Sequence, residues 1–364
     1  MKFEPVQPAG SSNVSPQLRK RAIPAGLVAS GPSLRSIAST RRLHTLLEGH
    51  PHAVKAFKID PLTPTIFHEP WWLDAATQGR YRLAEVSRNG EIVARLPYFL
   101  QKKMGISIVD LPPLTHFLGP AIVTKLNPTF LQQLDIMKEL ISKLPPTSFF
   151  YIKCHRDVRD VVAFQCAGFR SYVQFTHEIL PEPESILWKN IQKKARNIIR
   201  RAAECLSVSA GNDPAAFLDF YRQCKESEGK VNRLTIESCR RLIEACLERY
   251  RGRIYEARDQ GGAVVAAIFC AWDHVTSYYL LTARHPSAHT GAISFLVWEA
   301  MIDAARRGLL FDCDGFDSEG GARFLSKFTS HVVPRFVAVR ESATIRLFLM
   351  ARSLLGKERD IFSN

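Results

Sequence analysis

One order of elements occurs twice along this sequence, and that duplication restricts the fold more than any single motif. In the first copy, Tyr81–Ser87 and Glu91–Leu100 read as strands joined at Asn89-Gly90, a turn pair that strongly favours a two-residue hairpin. Ile106–Asp110 reads as a third strand. The loop "LPPLTHFLGP" follows, then a helix over about Pro128–Lys143, a strand at Ser148–Lys153, a helix around Val158–Cys166 and a strand at Phe169–Ile179. Three helical stretches come before the second copy. Leu187, Ile191, Ala195, Ile198, Ala202 and Cys205 recur at helical spacing over Ser185–Leu206. Asp213-Pro214 supplies an N-cap and a first-turn proline for a helix to about Glu226, and Thr235 starts another. Strands at Arg253–Arg258, Ala263–Trp272 and Val275–Ala283 then lead to a loop, a helix over Ala292–Arg307 and a strand at Leu309–Cys313. A helix over Ala322–Thr329 and a strand at Val332–Arg340 complete the copy. The topology is duplicated although the residues show little identity. Such a chain is α/β (α+β), each copy a mixed, mostly antiparallel sheet flanked by helices.

The duplication divides the 364 residues into units at 61–182 and 183–341, with 342–364 read as a C-terminal helix and tail. Residues 1–60 read as a flexible basic tail. Between Ser11 and Leu47 there is no acid, yet Arg19, Lys20, Arg21, Arg35, Arg41 and Arg42 all occur there among Ser, Pro and Gly. Such a segment buries too little to offset its ordering entropy. It accounts for part of the net charge of +14 without implying a nucleic-acid partner for the folded part. No apolar run reaches the ~20 residues that span a bilayer. The start, MKFEPVQPAG, lacks the apolar core of an export signal. The cysteines form no CxxC pair and read as reduced thiols, so a cytoplasmic protein is expected.

The sharpest local feature is acidic. Asp312, Asp314, Asp317 and Glu319 fall within eight residues of "LLFDCDGFDSEGGARFLSKF". An EF-hand needs carboxylates at alternating positions with Gly sixth, whereas Gly315 is fourth from Asp312, so no metal is expected. On a strand, Asp312 and Asp314 share one face and emerge together at its carboxyl end. Two close carboxylates raise one another's pKa, which suits one of them to proton transfer. Capping and turn closure are the reading for Asp317 and Glu319. A second feature is a cationic stripe, Lys189, Lys193, Arg196 and Arg200, spaced four, three and four opposite the apolar face of its helix. It is either a solvated face or a docking surface for an anionic substrate. No aromatic residues interleave with these cations to stack on bases, so no nucleic-acid partner is expected, tRNA alone staying open.

Four stretches resemble a known family. "TIFHEPWWLDAA" (Thr65–Ala76) and "PPLTHFLGP" (Pro112–Pro120) are similar to the opening and first-domain motifs of the Fem-type branch of the GCN5-related N-acetyltransferases (GNAT). "KARNIIRRAAE" (Lys194–Glu204) matches its R-x-x-I-R-x-A helix, and "FDCDGFDSEGGARFLSKF" its strand-end segment and following helix. The resemblance covers about residues 62–340 and implies two tandem GNAT-like domains. The branch includes peptidoglycan-bridge aminoacyltransferases and acetyltransferase-like proteins of polysaccharide clusters. The sequence departs from it at Thr329, where glycine commonly follows the last phenylalanine, and it lacks the paired helical arm of the tRNA-dependent members.

The resemblance implies an acyltransferase that takes an acyl group, acetyl above all, from acyl-CoA to an amine or hydroxyl of a sugar, lipid-linked saccharide or amino compound. The alternatives are an aminoacyl-tRNA-dependent transferase and a non-catalytic GNAT fold in polysaccharide assembly. In GNAT proteins the pyrophosphate sits where a strand passes into a helix. That loop here is "ARHPSAHTGAISF", which makes Arg284, His289, Thr290, Gly291 and Ala292 the cofactor-binding candidates. Asp312 and Asp314 lie where a GNAT sheet splays to admit the acyl group and are the candidate catalytic residues. Lys193, Arg196, Arg200, Tyr278, Tyr279 and His116 are candidate substrate contacts. His116, beside prolines, also has the plainer reading of a hydrogen-bonded loop residue.

Overall fold

The computed structural model describes residues 60–103, 105–123, 129–229, 236–315 and 319–347. The basic segment before residue 60, Asp317 and the chain beyond 347 lie outside the described residues. The hairpin forms where Asn89-Gly90 places it, joining β1 (Tyr81–Arg88) to β2 (Glu91–Lys103). Both turn residues take positive φ, 53° and 83°, the conformation that Asn and Gly accept at least cost. The first half continues with β3 (Ile106–Asp110), β4 (Ala121–Ile122), β5 (Phe149–Lys153) and β6 (Arg170–Ile179). The second half carries β7 (Ser207–Gly211), β8 (Gly252–Arg258), β9 (Val264–Trp272), β10 (Thr276–Arg284), β11 (Leu310–Gly315) and β12 (Val332–Glu341).

All these strands belong to one mixed sheet, in the order β1-β2-β3-β5-β12-β6-β11-β10-β9-β8-β7, with β4 on β2. The two sequence copies are therefore interleaved. The closing strand of the second, β12, pairs with β5 and β6, and the closing strand of the first, β6, pairs with β11. Helices lie against the sheet: α1 (Pro70–Thr77), α2 (Phe130–Ser142), α3 (Val162–Cys166), α4 (Glu184–Asn190), α5 (Lys193–Cys205), α6 (Pro214–Ser227), α7 (Ile236–Glu248), α8 (Ala292–Arg306) and α9 (Glu319–Leu325). One apolar cluster joins Trp72, Phe150 and Phe164 of the first half to Leu242 and Phe269 of the second, and another gathers Ile199, Leu296 and Phe311. The fold is the mixed sheet flanked by helices that the element order predicts. Residues 343–347 are helical.

Two local expectations are corrected. The helix read as continuous over Ser185–Leu206 is two, broken at Ile191 and Gln192, which have ψ of 137° and 138°. The Gln192 N–H donates to Lys327 O (2.9 Å) and its amide to Ser326 O (3.2 Å). Apolar periodicity ran through because Leu187, Ile191 and Ala195 enter the same core. β7, an edge strand of small residues paired only to β8, gave no strand pattern.

Two parallel strand pairs position the site. β3 and β5 pair only at Ile108/Phe149 and Val109/Phe150 before parting. The chain itself fills that fork: Leu118 bridges to Cys154, its N–H donates to Lys153 O (2.8 Å), and its carbonyl accepts from His155 N–H (2.8 Å). β10 and β11 pair from Thr276/Leu310 to Tyr278/Asp312 and then part, β10 running on to Arg284.

Candidate functional site

The first fork presents His116. The segment 111–120 is held by the "TIFHEPWWLDAA" stretch: Trp72 Nε1 donates to Thr115 Oγ1 (2.9 Å) and His68 Nε2 to Gly119 O (3.1 Å). His155 Nε2 donates to Pro120 O (2.9 Å). A carbonyl only accepts, so both histidines carry their proton on Nε2, and His68 Nδ1 takes the Thr65 hydroxyl (2.8 Å). Gly119 has φ +106° and approaches so closely that a Cβ would stand 3.1 Å from Cys154 Cα, which excludes other residues. The two sequence motifs are thus two sides of one clamp.

Burial holds His68 well below the ordinary histidine pKa, with His155 adding to the effect. Burial also lowers His155, where Arg335 and Arg156 oppose a second positive charge and Asp157 favours it. A folded pKa below the unfolded value of about 6.5 contributes stability that is complete above pH 6.5 and is lost as pH falls below it. The melting temperature should therefore be level above about pH 7 and decline on acidification. A His155→Gln variant should show a flatter decline, and an unchanged acid limb would remove these histidines as its cause.

A charged network lies buried beneath the loop. Arg335 on β12 donates through Nη2 to Glu178 Oε1 on β6 (2.6 Å) and to Asp312 Oδ2 on β11 (2.9 Å). Arg156 pairs with the other Glu178 oxygen. Asp312 Oδ1 accepts from the Thr176 hydroxyl (2.7 Å) and from the Asp314 N–H (2.9 Å). Asp312, Glu178 and Arg335 are each below 5% exposed, so these pairings satisfy carboxylates that water does not reach, while the buried Arg335 Nε has no partner among the described residues.

Asp312 and Asp314 do not emerge as a pair. The register of β11 against β6 breaks between Asp312 and Gly315, and Asp314 takes φ +56°. Asp312 turns inward and holds the backbone of Asp314, and the Asp314 carboxylate turns to the loop. Its Oδ1 lies 2.9 Å from His116 Nδ1 and 3.6 Å from Lys153 Nζ. A carboxylate can only accept, so His116 donates from Nδ1 in its neutral form and keeps Nε2 as a proton acceptor.

The remaining candidates are spread around this centre. The Tyr278 hydroxyl donates to Asp273 Oδ2 (2.7 Å), which also accepts from Ile66 N–H (3.1 Å), and its buried ring meets Phe67 at 4.8 Å. Tyr279 stacks instead on Phe311 at 6.4 Å. In the loop before α8, Arg284 Nη1 donates to Ala288 O (3.0 Å), and the Gly291 N–H donates to His289 Nδ1 (3.0 Å). Thr290 is exposed and Ala292 buried. A Cβ on Gly291 would fall 2.7 Å from Ile198 Cγ2, so helix packing alone requires glycine there.

The cationic stripe spans the break between helices. Lys189 lies in the last turn of α4, while Lys193, Arg196 and Arg200 lie on α5. Arg196 donates to the carbonyls of Trp188 and Lys189 (both 3.3 Å), and Arg200 lies over the Trp188 ring at 5.3 Å. Sequence reading missed Lys153, Arg156, Glu178 and Arg335. Arg335 alone left a signal, a charge inside the apolar run Val332–Val339. Among the described residues no three His, Cys, Asp or Glu side chains stand where they would hold a metal ion, and no helix is long and apolar enough to cross a membrane.

Residues 189–318 match the family model described as the acetyltransferase (GNAT) domain, a stretch that contains α5, the β10/β11 fork and Asp312–Asp314. This stretch is a GNAT domain. Around it, the chain has the fold of FemX, whose crystal structure is 13% identical with a TM-score of 0.57, over 76% of this chain and 92% of that one. Also similar are L-PGS from Bacillus licheniformis (15% identity, 79% of this chain and 93% of that chain, TM-score 0.49) and the C-terminal domain of a putative lysylphosphatidylglycerol synthetase from Agrobacterium fabrum (14%, 80% and 98%, TM-score 0.47). No curated protein matches the sequence. In this stretch β10 and β11 stop pairing at Tyr278/Asp312, two residues before the Asp314 that His116 meets.

Proposed function

We propose that this GNAT-fold acyltransferase carries an acyl group, most simply acetyl, from acyl-CoA to an amine or hydroxyl of a saccharide or amino compound. The observation that carries the reading is the His116–Asp314 contact of 2.9 Å at the mouth of the β10/β11 fork. Asp314 holds His116 in the tautomer whose Nε2 takes a proton from the attacking group. As the acceptor's nitrogen or oxygen bonds to the acyl carbon, that proton passes to Nε2. The C–S bond breaks, and the departing thiolate recovers a proton from the imidazolium. Lys153, beside the same carboxylate, offsets its charge. Asp312 is a positioning residue in this scheme, not a base. Direct attack fits the thiols as well, since burial pushes Cys154 and Cys239 up to about 12 and keeps them protonated.

We read the chain as two GNAT-like units, 61–182 and 183–341, with one donor site. The first fork is filled by Leu118, which leaves the second for the acyl arm. From Tyr278 to Arg284 the strand spans roughly 20 Å at ~3.4 Å per residue. The donor's pyrophosphate would then lie at the start of α8, where His289 must release the Gly291 N–H. Lys189 and Lys193, both exposed, suit an anionic group of donor or acceptor. An acyl-CoA donor implies work in the cytoplasm.

A second reading has one observation in its favour. Gly291 N–H and Arg284 are both satisfied within their own loop, which suits a GNAT fold that uses another donor, such as aminoacyl-tRNA, or none. Release of free CoA thiol from acetyl-CoA and longer acyl-CoAs, in the presence of amino sugars, neutral sugars and simple amines, separates the two. Acceptor-dependent thiol release is expected. No release with any donor, from protein shown to be folded, would favour the second reading.

A further inference from the structure

One face of the central strands carries a half-exposed tyrosine in the same cross-strand row as Lys153, a neighbour of Asp314. Cross-strand partners share a face, so Tyr172, Val337 and Lys153 form one row across β6, β12 and β5. Gln174 with Arg335, and Tyr151 with Val339, belong to the same face. This is the face of the Asp312–Glu178–Arg335 network. At one end lies the loop carrying His116, with the Phe117 ring 5.6 Å from the Arg335 guanidinium. At the other end Ile345 packs on Val337, Val339 and Phe149. Between them Tyr172 is 47% exposed although β6 is a central strand. Tyr151 Oη has Tyr172, Asp110 and Gln174 around it and shares hydrogen bonds with Tyr172 and Gln174.

We propose that this face is the acceptor subsite and that it takes a saccharide, an inference that rests on the acyl-transfer reading above. An exposed aromatic ring bordered by side chains that both donate and accept hydrogen bonds matches a molecule with apolar C–H faces and a rim of hydroxyls. Tyr172 offers the ring surface. Gln174 and Tyr151 offer two groups that can each give and take a hydrogen bond. Lys153 stands between this surface and Asp314, so a sugar lying on Tyr172 has its far substituent directed to His116. The described cations of this face are already partnered, Arg335 by Glu178 and Asp312, Arg170 by Glu341 and Lys153 by Asp314, so the surface favours hydroxyl-rich groups over strongly anionic ones.

Binding is tested on the full chain without any acyl donor, which keeps this inference separate from the catalytic one. The probes are the trisaccharides of N-acetylglucosamine and of glucosamine, with penta-alanine as the peptide control, followed by saturation-transfer NMR and calorimetry. At least one trisaccharide should bind, with affinity falling about tenfold or more in Tyr172→Ala and recovering in Tyr172→Trp. Tyr172 is half-exposed, so its variants should melt where the parent does, and circular dichroism on each sample checks this. Equal affinity in Tyr172→Ala, binding of penta-alanine alone, or binding of no probe would each overturn the proposal. Saccharide binding without acyl transfer would leave the subsite standing and remove only the catalytic reading.

Discussion

Replacing His116 by alanine should lower acyl-transfer turnover by roughly 10²–10⁴-fold, the usual contribution of a positioned general base. Donor affinity should stay close to that of the parent, because His116 belongs to the loop above the fork and not to the strands that line it. Asp314→Asn is the companion test. The amide still accepts a hydrogen bond from Nδ1–H, but it no longer stabilises the imidazolium that forms during transfer. Its turnover should therefore fall as well, because the imidazolium formed during transfer has lost its anionic partner. The melting temperature should hold in both variants, since His116 and Asp314 lie at the edge of water and each keeps other packing. Turnover within twofold of the parent in His116→Ala would remove the base from its assigned role.

The largest effect on stability is expected at Asp312. Truncation to alanine leaves Arg335 with one carboxylate fewer in a site water does not reach, and it frees the Thr176 hydroxyl and the Asp314 N–H together. Breaking a buried ion pair from one side costs about 3–5 kcal/mol. The variant should unfold at markedly lower denaturant concentration. Asp312→Asn should lose less, because the amide oxygen can still accept from Thr176 and Asp314. An intermediate outcome in activity distinguishes position from chemistry: Asp312→Asn should retain far more turnover per folded molecule than His116→Ala. Equal stability of Asp312→Ala and the parent would show that the Arg335 network does not hold the central strands together.

Much of the fold was legible in the sequence because its strongest signals are local. Asn89-Gly90 marked a hairpin whose geometry admits few other pairs, and Asp213-Pro214 marked a helix start that Asp213 does cap through Ala215 and Ala216 N–H. Apolar spacing found α7 for the same reason. Long-range pairing was not legible. Glu178 and Arg335 stand 157 residues apart, and nothing in either strand's alternation says that β6 and β12 lie side by side. The break between α4 and α5 was hidden by the same rule, since hydrogen bonds to Ser326 and Lys327 set it while the apolar stripe continues.

The site was half legible. The acidic strand end and the proline-flanked His116 both attracted notice, yet as separate candidates with separate roles. Their meeting depends on a loop that doubles back beside β5 and on a register break in β11, neither of which leaves a composition signal. Alternation assigned Asp312 and Asp314 to one face. The left-handed residue at 314 overrides that alternation and gives the two carboxylates different tasks.

The measurement that bears most directly on this account is calorimetric titration of the full chain with acetyl-CoA, followed by the same titration of His116→Ala. A first fork filled by Leu118 and a second left open predict one equivalent bound per chain, with the same stoichiometry and nearly the same affinity in the variant. Two equivalents would contradict the single open fork. Absence of heat and of any thermal stabilisation with acetyl-CoA and longer acyl-CoAs, in a sample whose fold is intact, would contradict the proposal that this GNAT domain takes its acyl group from coenzyme A.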